Sequence, residues 1–367
     1  MTDTFDTLIV GAGLTGLAAA AHLGRLGYSV AVVERHPRVG METSTHNSGV
    51  LHAGLYYPAG SLKATLCVEG LWLLYDFCRE HNVPHERCGK LVVAQHDSEF
   101  PLLEALCARA RANGAEAVTI VDGSFVKSRE PHVVGSAALW SPDTGRVDAP
   151  ALVLALLHEA EAHGAAVARG SRPIAATASA DAFQVSMDRE SVVARTVINA
   201  AGLHADDVSA CFGGEPYRIY PCRGEYAKVR RSRQHLVNGL VYPLPDPSGH
   251  GLGVHLTRTT DGDLLLGPTI RYQDRKDDYE DDRLPLEMFA ESGRLLLPTL
   301  SNEDVSYGGS GIRAKLHPPE ESFADFMIRR DSRQPRLIHA AGIDSPGLTS
   351  CLAIAQRLAT LVQETLD

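Results

Sequence analysis

Thr7-Leu8-Ile9-Val10-Gly11-Ala12-Gly13-Leu14-Thr15-Gly16 is an apolar run that breaks into a glycine turn near the start of this chain of 367 residues. The small residues from Leu17 to Leu26, stopped by Gly27, predict a helix, and Ser29-Val30-Ala31-Val32-Val33-Glu34 predicts a second strand. A strand buried on both faces reads as a continuous apolar run, and both of these nearly do. The three glycines have separate mechanical tasks: a tight turn (Gly11), close backbone approach to a diphosphate (Gly13) and close packing of helix on strand (Gly16). Leu14 and Thr15 then fall where a helix N-terminus meets the diphosphate. Glu34 ends the second strand, where a carboxylate accepts hydrogen bonds from a ribose diol. Together these features predict a dinucleotide-binding βαβ unit.

Outward from this unit, residues 35–58 are too polar and too rich in Gly, Ser, Thr, His and Asn for a packed element, and they read as a functional loop. From Ser61 the spacing of Leu62, Leu66, Leu73, Leu74, Phe77 and Cys78 predicts a helix with one face on a core. A strand over 90–94 and a helix over 99–112 follow, then a turn over 140–145 that reads as a hinge. Asp148 is placed to cap a helix over 149–163, with Pro150 in its first turn and Gly164 at its stop. Strands are predicted over 174–178, 183–187 and 192–198, the last feeding the turn Asn199-Ala200-Ala201-Gly202. Residues 217–315 are strand-like, with strands over 225–229, 241–243, 253–257 and 264–266 and a charged loop or helix entry over 275–283. A strand over 336–342 and a helix over 348–366 close the chain. The expected fold is α/β: a Rossmann-like nucleotide domain (1–80, 146–216 and 316–367) with an inserted mixed-sheet substrate domain (81–145 and 217–315).

Composition narrows the function. A formal charge of −10 argues against a partner bound by neutralising nucleic-acid phosphates. Seven widely spread cysteines without a Cys-x-x-Cys pair predict reduced thiols in the cytoplasm, with neither a zinc site nor a disulfide framework. The apolar run 8–23 has Asp3 and Asp6 before it and no Lys or Arg, which is wrong for a secretory signal. No stretch is long and apolar enough to span a membrane, so contact with one is expected to be peripheral at most.

One fingerprint is present and no second one for a separate nicotinamide cofactor. Near the C-terminus, Gly342-Ile343-Asp344-Ser345-Pro346-Gly347-Leu348-Thr349 is another glycine-rich strand-to-helix turn, whose helix N-terminus suits negative charge on a reduced flavin. That layout predicts FAD. The stretch Glu42-Thr43-Ser44-Thr45-His46-Asn47-Ser48-Gly49-Val50-Leu51-His52-Ala53-Gly54-Leu55-Tyr56-Tyr57 closely resembles the L-2-hydroxyglutarate dehydrogenase/oxidase family, within the FAD enzymes related to D-amino-acid oxidase. Cys67-Val68-Glu69-Gly70, Cys88-Gly89-Lys90-Leu91, Asp143 to Asp148, Arg223-Gly224-Glu225-Tyr226, Val241-Tyr242-Pro243, Gly253-Val254-His255, Gly311-Ile312-Arg313-Ala314 and Ser345 to Ser350 extend the resemblance over nearly the whole chain. The departure lies between Leu284 and Gly309, where this chain is shorter than the typical member.

The resemblance implies oxidation of a small L-2-hydroxy acid, L-2-hydroxyglutarate first, with electrons passed to oxygen or a quinone-type acceptor. An amine or amino-acid oxidase, or a glycerol-3-phosphate-type dehydrogenase, is the alternative on the same fold, and a flavin-binding protein without turnover the alternative of another class. Oxidising the alcohol requires a base near the hydroxyl, for which His255 is the first candidate and His52 the second. Arg313, after Ser310-Gly311-Ile312, is the candidate for the substrate carboxylate through the turn-plus-Arg arrangement of related oxidases. Arg223, Lys63, Tyr56, Tyr57 and Tyr242 compete for a second carboxylate, each tyrosine reading equally as half-buried packing. Arg35, Thr43, Ser44, His46, Asn47, Ser48, Ala200, Ala201, Gly202, Arg313, Gly347, Leu348 and Thr349 complete the expected FAD contacts. His46 is where a covalent flavin link would form, against the plainer reading of a loop histidine beside non-covalent FAD; Cys351 reads as core.

Overall fold

Two sheets and a small three-stranded ribbon organise the chain in the computed structural model, which describes residues 4–188, 190–245 and 253–367. In the first sheet Thr4–Val10 pairs in parallel with Ser191–Asn199 on one side and Val30–Glu34 on the other. Ala166–Arg169 and Leu337–Ala341 extend it in parallel, and Pro173–Ala178, Phe183–Met187 and Met327–Arg330 finish it antiparallel. Leu8, Ile9, Val32, Val197 and Ile198 are wholly buried, as strands covered on both faces require.

The first helix spans Leu14–Arg25 and starts three residues before the predicted position. Gly13, in extended conformation, is its N-cap, so Gly16 belongs to its first turn; a Cβ there would stand 2.0 Å from the Gly11 carbonyl oxygen. This helix packs between Ala149–Ala162 and Gly347–Leu366, and Leu62–Glu80 packs on the last of these. Gly70 permits that second crossing, since a Cβ on it would lie 2.5 Å from the Thr349 carbonyl oxygen. Asp148 caps Ala149–Ala162 by accepting the Ala151 N–H at 2.9 Å.

The second sheet is antiparallel apart from one parallel pair, Leu240–Pro243 with Lys90–Ala94. Its strands run in the order Arg271–Tyr272, Tyr220–Val229, Leu264–Gly267, His255–Arg258, Leu240–Pro243, Lys90–Ala94, Ala137–Ser141 and Thr119–Asp122, with Val305–Lys315 on the other flank of Tyr220–Val229. Val50–Leu51, Gly145–Val147 and His85–Glu86 form the ribbon, so the predicted hinge turn shrinks to residues 142–144.

One expectation changes here, and of the two readings for 275–283 the loop holds. Arg313 does not follow a turn: it lies within the eleven-residue strand Val305–Lys315, paired with Tyr220–Val229 on both sides of one bulge. The glycines that look like a turn in the sequence instead form a bulge opposite Tyr226 and Ala227, where a Cβ on Gly308 would meet the Ala227 backbone at 2.9 Å. The charged segment 275–283 forms no helix; Lys276 is tied to Asp206 and Asp207 at 2.6 and 2.8 Å, and Ser310 Oγ donates to the Tyr279 carbonyl. In the shortened region the structure holds one α-helix, Leu286–Arg294, and a single 3-10 turn, Asn302–Asp304.

Candidate active site

A cavity of about 1300 Å³ is lined by residues of both sheets. Two long helices present N-termini without a side-chain cap to it, Leu14–Arg25 and Gly347–Leu366. Each end carries unpaired N–H donors and a partial positive charge. At the first, the Leu14 N–H donates to Ser44 Oγ at 2.9 Å, and a Cβ on Gly13 would come within 2.7 Å of that hydroxyl. Gly11, at φ +106°, has the Ala200 carbonyl oxygen 2.5 Å from where a Cβ would be, so only glycine fits. Glu34 is buried and accepts the Ala12 N–H at 2.8 Å on one oxygen and the His36 N–H at 2.9 Å on the other. Each oxygen keeps a second lone pair.

The loop after Glu34 is held by its own polar side chains. Asn47 Nδ2 donates to the Thr43 and Ser44 carbonyls at 3.1 and 2.9 Å, and its Oδ1 accepts the Gly49 N–H. Thr43 Oγ1 donates to the Ile312 carbonyl at 2.9 Å, joining this loop to the strand that carries Arg313. Arg35 reaches His204 and Glu42. His46 Nδ1 lies 2.9 Å from the Glu42 carbonyl oxygen and its ring is 4.9 Å from Tyr279. Glycine cradle, helix N-terminus, buried carboxylate and a second helix N-terminus in one cavity fit an extended dinucleotide of the FAD type, for which Gly13, Leu14 and Ser44 would meet the diphosphate, Glu34 the ribose and Gly347–Thr349 the ring.

At the other end stand the groups suited to acid-base work. The His255 ring stacks on Tyr242 with centroids 3.4 Å apart and planes at 12°. His52 is half-buried, with Nδ1 unbonded among the described residues; desolvation, then the Lys90 ammonium, brings its pKa down to about 3. Lys90 itself is 1% exposed, its Nζ 4.7 Å from the Tyr56 ring centroid and 4.6 Å from that of Tyr242, and burial lowers its pKa to about 7. Burial pushes the phenols of Tyr56, Tyr57 and Tyr242 above their ordinary value. Arg313 is half-buried, donates to the Thr269 carbonyl at 3.2 Å, and lies in ion-pair range of no carboxylate among the described residues. Gly224 across the ladder makes its space: a Cβ there would be 2.8 and 2.9 Å from the two guanidinium nitrogens.

Every residue named from the sequence as a nucleotide or substrate contact lines the cavity except Gly16 and Arg223. Gly16 acts at one remove, through the helix-to-turn packing described above. Arg223 is the correction. It is wholly buried, paired with Glu225 at 3.1 Å and Asp278 at 3.2 Å, and donates to the Asp281 and Asp282 carbonyls, so it pins the 278–282 loop and has no guanidinium face for a substrate. Sequence reading also missed Tyr226, Tyr272, Lys315 and His317 on the cavity wall. For Lys315 a signal existed: it stands two residues after Arg313, and on a strand that spacing shares a face.

The FAD dependent oxidoreductase family model matches residues 6–361. The mitochondrial L-2-hydroxyglutarate dehydrogenase of Nematostella vectensis is 34% identical over 99% of this chain and 91% of its own length. The L-2-hydroxyglutarate dehydrogenase of Indibacter alkaliphilus is 32% identical, over 95% and 96%. Among solved structures, L-α-glycerophosphate oxidase from Mycoplasma pneumoniae, with FAD bound, superposes with a TM-score of 0.89 at 25% identity, over 98% of this chain and 95% of that one. Glycine oxidase from Geobacillus kaustophilus superposes at 0.85 with 21% identity, over 99% and 95%. With the FAD cradle and the similarity both running the length of the chain, this protein belongs to the FAD-dependent oxidoreductases, in the company of the L-2-hydroxyglutarate dehydrogenases.

Proposed function

We propose that this enzyme oxidises the α-hydroxyl of a small L-2-hydroxy acid, L-2-hydroxyglutarate above all, to the 2-oxo acid. The observation that carries the reading is Arg313: a guanidinium in the cavity wall with no carboxylate partner among the described residues, in a space kept for it by Gly224. Arg313 holds the C1 carboxylate by two parallel hydrogen bonds and so presents the α-carbon in one orientation. Bound FAD supplies the acceptor for the hydride. His255 takes the hydroxyl proton. His52, with its pKa near 3, is too weak a base for that task at neutral pH and serves as a neutral hydrogen-bonding group. Buried Tyr242, stacked on His255, and half-buried Tyr56 in the cavity wall help keep water out of the chamber.

In this reading FAD is held non-covalently. The His46 ring is engaged by the Glu42 carbonyl and Tyr279, and acid precipitation that leaves all the flavin in the supernatant tests the point. Residues 1–80, 146–216 and 316–367 serve as the cofactor domain, and 81–145 and 217–315 as the substrate domain. Electrons leave to oxygen or a quinone-type acceptor. Among the described residues no helix is long and apolar enough to cross a membrane. The cytoplasmic setting, with at most peripheral membrane contact, is supported by seven free cysteines.

Anaerobic addition of L-2-hydroxyglutarate, its D-enantiomer, L-lactate, glycerol 3-phosphate and glycine to the yellow holoenzyme tests the assignment. Rapid bleaching of the flavin by the L-hydroxy acid is the expected result, and bleaching only by the amine or the phosphate would overturn it. Arg313→Ala is expected to raise KM strongly while FAD stays bound; loss of flavin would instead put Arg313 in the cofactor site.

A further inference from the structure

Val305–Lys315 sends alternate side chains to opposite sides, and its last residues sort accordingly. Ile312 and Ala314 are buried in a small core with Leu203 and Ile219, while Arg313 and Lys315 line the cavity. Residues two apart on a strand are separated by roughly 6.5 Å. The carboxyl carbons of an extended five-carbon diacid are about 5 Å apart, and their outer oxygens about 7 Å.

Lys315 sits in a group that carries a surplus of positive charge. Asp344, at the turn before the last helix, pairs through Oδ1 with Lys63 Nζ at 2.6 Å and through Oδ2 with Lys315 Nζ at 3.1 Å. Both lysines and Asp344 line the cavity, so two ammonium groups share one carboxylate there and leave one net positive charge. Burial alone would raise the Asp344 pKa, but the two lysines overcome it and hold the carboxyl below its usual range. Lys315 Nζ has three hydrogens; Asp344 takes one and His317 Nε2, at 3.3 Å, a second. One N–H remains for a ligand. Tyr272 lines the same cavity, its hydroxyl 3.3 Å from His317 Nδ1 and within the electrostatic reach of both Arg313 and Asp344.

We infer that Lys315, oriented by Asp344 and supported by Lys63, binds the distal carboxylate of the substrate, so that Arg313 and Lys315 on one strand face measure the length of a five-carbon 2-hydroxy diacid. The assignment rests on the hydroxy-acid reading above and adds the residue that distinguishes a diacid from a monoacid. Two cationic positions with a net charge of +2 match a dianion, whereas a monocarboxylate leaves the Lys315 end without a partner.

The test compares the wild-type holoenzyme with Lys315→Met and Lys315→Arg. Binding of glutarate and of butyrate is read from perturbation of the flavin spectrum, and KM from L-2-hydroxyglutarate and L-2-hydroxybutyrate. Loss of one charge-assisted contact is expected to raise the glutarate Kd and the L-2-hydroxyglutarate KM about tenfold in Lys315→Met. The monoacid values should stay unchanged, and Lys315→Arg should retain the preference for diacids. Equal glutarate affinity in wild type and Lys315→Met would overturn the inference. So would an equal fall in kcat for both substrates, or release of FAD, which would assign the group to the cofactor. Failure of the hydroxy-acid reading has a separate signature: wild-type flavin that no 2-hydroxy acid bleaches, whatever the glutarate titrations give.

Discussion

Lys90 and Arg223 are both buried cations, yet they are accommodated in different ways. Arg223 is surrounded by carboxylates and carbonyls, while Lys90 faces two aromatic rings, with no hydrogen-bond partner for Nζ among the described residues. Such a group opposes folding when charged. With a folded pKa near 7 against about 10.5 unfolded, the unfolded chain binds more protons between those values, so stability from this group rises with pH across that window. Below pH 7 both states are protonated and the penalty is fully present. Lys90→Met, close in volume, is therefore expected to raise Tm over wild type more at pH 6 than at pH 9; an equal gain at both would show that Lys90 is not desolvated. Burial first, and then this residue, disfavours a positive charge on His52, which accords with the proposal of His255 as the base. His255→Gln should slow anaerobic flavin reduction about 100-fold or more while FAD remains bound; a similar loss from His52→Gln alone would exchange the roles.

At the scale of elements, the Tyr220–Val229 and Val305–Lys315 ladder sets the chemistry, because register places Arg223 opposite Ile312 and Cys222 opposite Arg313. A slip of one residue would send Arg313 into the core. Gly224 is part of the same device. Gly224→Ala puts a methyl group against the end of a flexible guanidinium, so the side chain shifts and the sheet survives. KM for the hydroxy acid is expected to rise about tenfold, nearing Arg313→Ala, with Tm little changed. The central strands of the first sheet were readable because fully buried strands are continuous apolar runs, and the helices carry their own caps and stops, such as Asp148 and Gly164; the half-exposed strands Ala166–Arg169 and Met327–Arg330 were not. The strand holding Arg313 was not, because Gly308, Gly309 and Gly311 look like a turn until a partner strand supplies hydrogen bonds and a bulge for them.

Across the whole molecule the cofactor cavity draws on segments far apart in the chain: Gly13 and Ser44 near the N-terminus, Ala200 in the middle and Gly347–Thr349 near the end. Thr349 Oγ1 accepts the His52 N–H at 2.9 Å, fastening the C-terminal turn to the flavin loop. Occupancy by FAD should therefore stabilise the native state as a unit, by about 2.7 kcal/mol when free FAD is 100 times its Kd. Thermal melts of apoprotein against added FAD check this, and a Tm independent of FAD would mean that the cavity does not hold it. Gly13→Val should remove the dependence. Sequence alone determined the βαβ unit and the glycine turn before the last helix, because glycine conformation, helix capping and apolar periodicity act within a few residues; Arg313 and the histidines it offered as candidates. Tertiary structure decided which cations are free. Arg223 and Arg313 are both arginines on adjacent strands, and the register that turns Arg223 to the face away from Arg313, together with the carboxylates of residues 225 and 278 beside it, excludes it from the site. Lys315 likewise gains its meaning from Asp344 and Lys63, because electrostatics depends on distance in space and not along the chain.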